Sequence, residues 1–363
     1  MAAIHQFLPT IAPRDAIGSH ALLLQDALRE LGFESEIYAE NRHPDVRSRA
    51  HDYRSFRGTG SSGATWLMYQ ASTGSPLADW LATRPEPVIM NYHNITPPEF
   101  FAGWEPVVAV ELTVGRRQLK RLRSRTDLVI ADSAFNAQEM HDLGYEHTSV
   151  VPILFDPQTF GRDVDQATLD RLLAAKRSGG ADLLFVGRIA PNKAQHDLVK
   201  LLAFYRKVYD PDARLHLVGV DSSHAYGDTI RRYAGALGLA DAINFVGSVT
   251  ANELTAYFRA ADVFVSASEH EGFCVPLLEA MHHQVPIVAY GATAVPETLA
   301  GAGLVLRTKE PSTMAAAVDR VLRDTRLCAQ MVEAGTARLA SFDLSRTRAS
   351  LEAAIGALMD RTR

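Results

Sequence analysis

Cysteine is nearly absent from this chain: only Cys274 and Cys328 occur, and both fall within helical patterns. Two cysteines cannot build a four-ligand zinc site, and their scarcity fits a reducing compartment. No window of 18 or more residues is continuously apolar, which excludes a spanning helix. The first residues, MAAIHQFLP, lack the basic start and long apolar core of a signal peptide, so a cytoplasmic location is expected. Cations are not in excess. The net charge of −5 gives no reason to expect nucleic acid as a partner. The GxGxxG dinucleotide fingerprint and the Walker A sequence are both missing. Asp163-Val164-Asp165 imitates a D-x-D metal motif, but it lies in a linker and reads as solvated charge. Glu279-x-x-His282 is half of a di-metal motif with no second copy. Neither a metal nor a cofactor is expected.

What is present is a rhythm. Short apolar runs alternate with turns and amphipathic helices. Expected strands in the first half are Ala3–Leu8, Glu34–Ala39, Thr65–Gln70, Val88–His93, Leu128–Ala131 and Ser149–Leu154. In the second half they are Leu183–Val186, Leu215–Val218, Ile243–Val246, Val263–Ser266, Ile287–Ala289 and Leu304–Leu306. Most are continuously apolar, as parallel strands covered on both faces are. The helices between them, such as His196–Tyr209 and Asn252–Ala261, repeat at 3, 4 and 7. The fold class is α/β with doubly wound sheets.

With 363 residues, 47% hydrophobic and 22% charged, two globular domains are expected. The polar stretch FDPQTFGRDVD and the following RSGGAD mark the break. The first domain is read as 1–160 and the second as 161–342, with helix 343–363 a candidate to pack back on the first.

Two stretches carry chemistry. In FVGRIAPNK a strand ends at Val186, Gly187 permits a tight turn, and Arg188 and Lys193 project before a helix starting near Ala194. Two cations beside a helix N-terminus make an anion site. A solvated surface turn is the bland alternative. In SEHEGFCVPLLEA a strand ends at Ser266, a loop carries Glu271, and Pro276 suits a first helical turn. Glu279 follows about two helical turns beyond Glu271, on a buried face. Acids so separated suit two parts of one elongated ligand, since a carboxylate pairs well with vicinal hydroxyls. For Glu271, the helix dipole alone is the competing account.

Together, GRIAPNK, EGFCVPLLEAM with its E-x7-E spacing, and QVPIVAYG…VPE resemble the retaining nucleotide-sugar glycosyltransferases of family 4. The resemblance is strong from about Gly187 to Gly303 and weak elsewhere. It implies the GT-B architecture: two Rossmann-like domains facing a cleft, the first on the acceptor side and the second holding the donor. It implies that Arg188 and Lys193 hold the diphosphate of a UDP- or GDP-sugar and steady it as it leaves. Glu271 would meet the donor sugar, and the backbone of Gly272, Phe273, Cys274 and Val275 the sugar and phosphate. Glu279 would bind the ribose, and Val249 would lie near the base. Gly18, in RDAIGSH, would fall in the loop after the first strand, close to the phosphates. There the family's glycine pair is reduced to one. His93 would stand beside the sugar, with 94–104 lining the acceptor side. Cys274 replaces a frequent glycine and reads as a small packed side chain.

The activity implied is metal-independent transfer of a sugar to a hydroxyl acceptor with retention of configuration. A nucleotide-sugar epimerase of the same architecture and a non-catalytic nucleotide-sugar-binding subunit stay open beside it. GRRQLKRLRSR, residues 115–125, carries six cations, with Leu112, Leu119 and Leu122 as its apolar stripe. It reads as a solvated helix face with the cations outward, or as a peripheral contact with an anionic membrane or acidic acceptor.

Overall fold

The structure, a computed structural model, describes residues 2–12, 15–58, 64–157, 163–177 and 179–362. It divides into two compact units. The first comprises Met1–Ala102, Pro106–Phe155 and Phe342–Arg363; the second comprises Gly103–Glu105 and Asp156–Ser341. The division expected at 160/161 lies outside the described residues.

The first unit runs β1 (Ala3–Ile11), α1 (Ala16–Glu30), β2 (Ile37–Arg42), β3 (His51–Asp52), β4 (Thr65–Ala71), α2 (Pro76–Ala82), β5 (Val88–Tyr92), α3 (Glu99–Ala102), α4 (Pro106–Leu122), β6 (Thr126–Ala131), α5 (Ala134–Asp142) and β7 (Thr148–Val150). Among the described residues its sheet has the order β3-β2-β1-β4-β5-β6-β7, every pair parallel. The central strands β4 and β5 are buried at every position, which is why they read as unbroken apolar runs.

The second unit continues with α6 (Gln166–Lys176), β8 (Asp182–Val186), α7 (Gln195–Val208), β9 (Arg214–Val218), α8 (His224–Ala236), β10 (Ile243–Gly247), α9 (Ala251–Ala260), β11 (Val263–Ser266), α10 (Val275–His282), β12 (Ile287–Tyr290), α11 (Val295–Leu299), β13 (Leu304–Leu306), α12 (Pro311–Arg323) and α13 (Thr325–Leu339). The order of its sheet is β10-β9-β8-β11-β12-β13, again all parallel. A last helix, α14 (Leu344–Thr362), belongs to the first unit. Its Leu351, Ile355 and Leu358 are buried with Ile4, Trp66, Met68 and Ile89 of the sheet. Each such side chain contributes about 1.5–3 kcal/mol when removed from water.

Several local expectations are corrected. Strand β2 starts at Ile37, not at Glu34; Glu34 makes only an isolated bridge to Ala3. Strand β7 stops at Val150, shortly before Pro152, which has no N–H to continue a ladder. Strand β3 has two residues, too few to show as an apolar run. Gly18 lies in the first turn of α1, not in the preceding loop. Its N–H donates to the capping carboxylate of Asp15 at 2.9 Å. A side chain at Gly18 would come within 3.1 Å of the Ala12 carbonyl, so close packing accounts for the glycine. Asp165, of the D-x-D imitation, caps α6 by accepting from the Thr168 N–H.

The basic helix α4 also differs from expectation. Leu112, Leu119 and Leu122 are buried, but not all cations face outward. Arg116 pairs with Glu139 and donates to the Ile95 carbonyl at 2.5 Å. Arg125, just beyond α4, donates to the Arg84 carbonyl at 2.5 Å. The exposed face of α4 carries Val107, Val110 and Val114, followed by Arg117, Lys120 and Arg121.

In a doubly wound sheet, ligands bind beyond the strands' carboxyl ends where the winding reverses. In the second unit that place is between β8 and β11, because β9 lies on one side of the pair and β12 on the other. In the first unit it is between β1 and β4.

Candidate active site

Two loops leave the sheet at the β8/β11 reversal. Gly187, at φ +151°, turns the chain out of β8 in a conformation that favours glycine. Arg188 follows, exposed, its side chain reaching no acid among the described residues. Pro191–Lys193 forms a single 3₁₀ turn, and Ala194 at φ +50° starts α7. Gln195 braces this loop from inside, donating to the Arg188 carbonyl at 2.9 Å.

The loop after β11 is tied to the first one. The Glu269 N–H donates to the Asn192 carbonyl at 2.9 Å, and the Asn192 amide donates to the His270 carbonyl at 3.3 Å. The join places Lys193 Nζ 2.6 Å from Glu271 Oε2. The side chains retain 16% and 9% of their exposure, so the pair is largely shielded from water. Such a pair is stronger than a surface one, and also more costly to break.

Backbone strain gathers here. Among the described residues, six without a glycine's freedom have positive φ. Three of them, Ala194, Cys274 and Thr293, flank the loops that hold Lys193 and Glu271. Cys274 lies outside the helix expected for it. At φ +73° it is the residue before α10, which explains why glycine suits this position. Burial pushes its thiol well above the usual range, and the neighbouring Glu271 adds to this. Thr293, on the loop between β12 and α11, has φ +49° although it is β-branched. Its hydroxyl accepts from the Glu271 N–H and donates to the Glu271 carbonyl, both at 2.8 Å. An unusual backbone of this kind costs about 1–3 kcal/mol. Two hydrogen bonds at about 1 kcal/mol each offset much of it. Thr298 donates to the Phe273 carbonyl at 2.6 Å and holds the rest of the turn.

Neither α7 nor α10 is capped by the side chain of the residue that precedes it, whereas Asp15, Ser75, Ser133, Asp165, Ser223 and Thr250 cap other helices. In the first turn of α7 the His196 N–H is met by the Tyr226 hydroxyl at 3.3 Å; at both helices the dipole end favours an anion. Pro276 occupies the first turn of α10, as expected. Glu279 lies farther along α10, buried, and its carboxylate makes no hydrogen bond or ion pair among the described residues. Burial alone lifts its pKa to about 7. Gly272 and Val275 are half-buried and Phe273 is buried. Val249 is half-buried in the turn between β10 and α9. Among the described residues there is no group of three or more His, Cys, Asp or Glu side chains arranged to hold a metal.

The structure thus assembles Gly187, Lys193, Glu271 and the 272–275 turn in one unit, while Gly18 and His93 belong to the other. His93 follows β5, its side chain 2% exposed. Nδ1 lies 2.8 Å from Asp132 Oδ2 and Nε2 lies 2.6 Å from Gln70 Oε1. Gln70 in turn donates to Gln6 at 2.8 Å and accepts from Asn91 at 3.0 Å. Both ring nitrogens are therefore engaged. Of residues 94–104, Glu99–Ala102 form α3, and Trp104 packs edge-on to Tyr226 within the second unit. Sequence reading missed Asn192, Gln195, Thr293 and Thr298. Their only signal was a polar residue in a loop, a turn or the end of a helix.

Residues 173–338, which include both loops, match the family described as Glycosyl transferases group 1. This stretch is a group 1 glycosyltransferase domain. The D-inositol 3-phosphate glycosyltransferase of Geodermatophilus obscurus is 33% identical over 270 residues, covering 67% of this chain and 57% of that one. The GDP-mannose-dependent alpha-(1-6)-phosphatidylinositol monomannoside mannosyltransferase of Mycolicibacterium smegmatis is 29% identical, covering 62% and 60%. The chain thus spans a little over half the length of these curated relatives. Outside the group 1 domain as well as within it, the fold is shared. The Anabaena protein Alr3699/HepE, solved with UDP and glucose, superposes with a TM-score of 0.76 at 17% identity, over 98% of this chain and 100% of that one. Sucrose-phosphate synthase from Thermosynechococcus elongatus gives 0.77 at 17%, over 99% and 100%. The two Rossmann-like units and the group 1 domain are those of the GT-B architecture.

Proposed function

We propose that this chain is a retaining glycosyltransferase, moving a sugar from a nucleoside-diphosphate donor to a hydroxyl acceptor without a metal. The observation that carries the reading is the Lys193–Glu271 pair at the β8/β11 reversal of a group 1 domain. Arg188 and Lys193 hold the diphosphate, and Glu271 and the 272–275 backbone hold the sugar. Glu279 takes the ribose hydroxyls, and Val249 borders the base. The bond from the anomeric carbon to the diphosphate oxygen breaks. The acceptor oxygen bonds that carbon on the same face, and its proton passes to the leaving phosphate. Stabilisation of the departing charge is then the main protein contribution. For His93 the proposal is contact with the sugar, exchanging its Gln70 bond for a sugar hydroxyl.

The relatives' names suggest which donors to try first. A thermal-shift screen should include UDP, GDP, UDP-glucose and GDP-mannose. A specific donor at 100 times its Kd adds about 2.7 kcal/mol and raises the melting temperature by several degrees. Incubation of the hit with hydroxyl acceptors, read by NMR at the anomeric carbon, tests transfer and retention. A new nucleotide sugar formed without any acceptor would point to an epimerase. Binding without turnover across acceptors would point to a non-catalytic subunit.

A peripheral membrane contact through α4 is a second reading, favoured by its exposed Val107, Val110 and Val114 preceding Arg117, Lys120 and Arg121. Vesicles with anionic lipid should sediment the chain, and the triple change Arg117→Glu, Lys120→Glu, Arg121→Glu should abolish this. Equal binding by the variant would end the idea.

A further inference from the structure

We propose that Thr293 is a positioning residue for Glu271. This rests on the transfer reading of the site. Glu271 sits in a loop, and a loop does not fix a carboxylate by itself. Thr293 grips both of its backbone groups with one hydroxyl, at 2.8 Å to the nitrogen and 2.8 Å to the oxygen. The Ala294 N–H also approaches the Glu271 carbonyl, at 3.4 Å. With the backbone clamped, the side chain is aimed at Lys193.

A threonine is a poor choice for φ +49° on backbone grounds alone. Glycine or asparagine would adopt that conformation more readily. The strained residue also carries the side-chain group that, among the described residues, bonds both backbone groups of Glu271. That coincidence separates a clamp from an ordinary turn, since strain persists only where the surroundings enforce it. Asn192 and Thr298 brace the neighbouring residues, but neither touches the Glu271 backbone.

The test compares four variants with wild type, using the donor found by thermal shift. Thr293→Ser keeps the hydroxyl and drops the branch. It should retain kcat within about threefold and melt no lower than wild type. Thr293→Gly relieves the backbone and removes the hydroxyl, so it should fold well yet lose kcat by about 10²-fold, the scale of a misplaced reacting group. Thr293→Val and Thr293→Ala remove the hydroxyl while keeping the strain, and should lose at least as much. Affinity for the nucleoside diphosphate alone should move less than about threefold, because it lacks the sugar that Glu271 would hold and Arg188 and Lys193 are untouched. A role in folding alone predicts the reverse: glycine active, with changes following the melting temperature.

A substrate-free readout stands beside the kinetics. Hydrogen exchange at the Glu271 amide should accelerate in Thr293→Gly and not in Thr293→Ser. Unchanged exchange in the glycine variant overturns the clamp whether or not the chain transfers sugar. Wild-type kcat in that variant overturns it as well. Failure of wild-type chain to bind any nucleotide sugar would count against the transfer reading, and the exchange result would still decide the clamp.

Discussion

Lys193→Ala should lower kcat/KM for sugar transfer by about 10²–10³-fold, the usual loss when a preorganised group facing developing charge is removed. Coulomb energy scales inversely with distance and dielectric, and the Lys193 side chain is only 16% exposed, so water cannot replace its charge fully. The same change should also destabilise the second unit. Glu271, with 9% of its side chain exposed, would lose the cation 2.6 Å away. A buried polar group left unpaired costs about 1–3 kcal/mol, more when charged. Adding Glu271→Gln to Lys193→Ala should restore the melting temperature and leave transfer dead. Arg188→Ala should lose transfer with little change in melting, because that residue is exposed and pairs with no acid among the described residues. Initial rates and melting curves on the three variants check this. Near-normal turnover in Lys193→Ala would remove the basis of the proposed reaction.

Glu279→Gln should make the ligand-free second unit more stable at pH 8 and weaken its hold on nucleotide. The folded carboxyl titrates at about 7, against an ordinary 4.5. A raised acid pKa means the native state binds its proton more tightly than the unfolded state does. Stability therefore declines as pH rises through the window from 4.5 to about 7, and the loss is complete above it. At 1.36 kcal/mol per unit, the penalty is on the order of 3 kcal/mol at pH 8. Glutamine keeps the shape and removes the charge. Its advantage should be several degrees at pH 8 and should vanish near pH 4.5. If ribose hydroxyls donate to this carboxylate, nucleotide affinity should fall at least tenfold in the variant. Melting across pH 4.5–8, with calorimetric nucleotide titration, checks both. A variant no more stable than wild type at pH 8 would show that burial is not penalising the charge. A site residue kept at a cost to stability is a common trade.

The core was the most legible part of the chain. Runs such as Leu183–Val186 and Val263–Ser266 fit parallel strands covered on both faces, and they pair as adjacent β8 and β11. Because strand ends carry the loops, Lys193 and Glu271 could be placed at one lip without coordinates. Backbone conformation was not legible. Cys274 and Thr293 adopt positive φ, and nothing in their residue types announces it. Gly18 was expected in the loop after the first strand and lies instead in the first turn of α1, where a Cβ would stand 3.1 Å from the Ala12 carbonyl. The lattice around His93 left a faint trace. Gln6, Gln70 and Asn91 interrupt otherwise apolar strands, and those three amides link into one buried ladder.

The first unit is discontinuous along the chain. Its sheet is made early, but α14, which buries Leu351, Ile355 and Leu358 against it, comes after all of the second unit. On the ribosome the second unit can complete its core while the first still lacks a cover over Ile4, Trp66 and Met68. Domains generally fold as units during synthesis, and a face awaiting its helix is open to chaperones and to aggregation. The N-terminal half is therefore synthesised first and finished last.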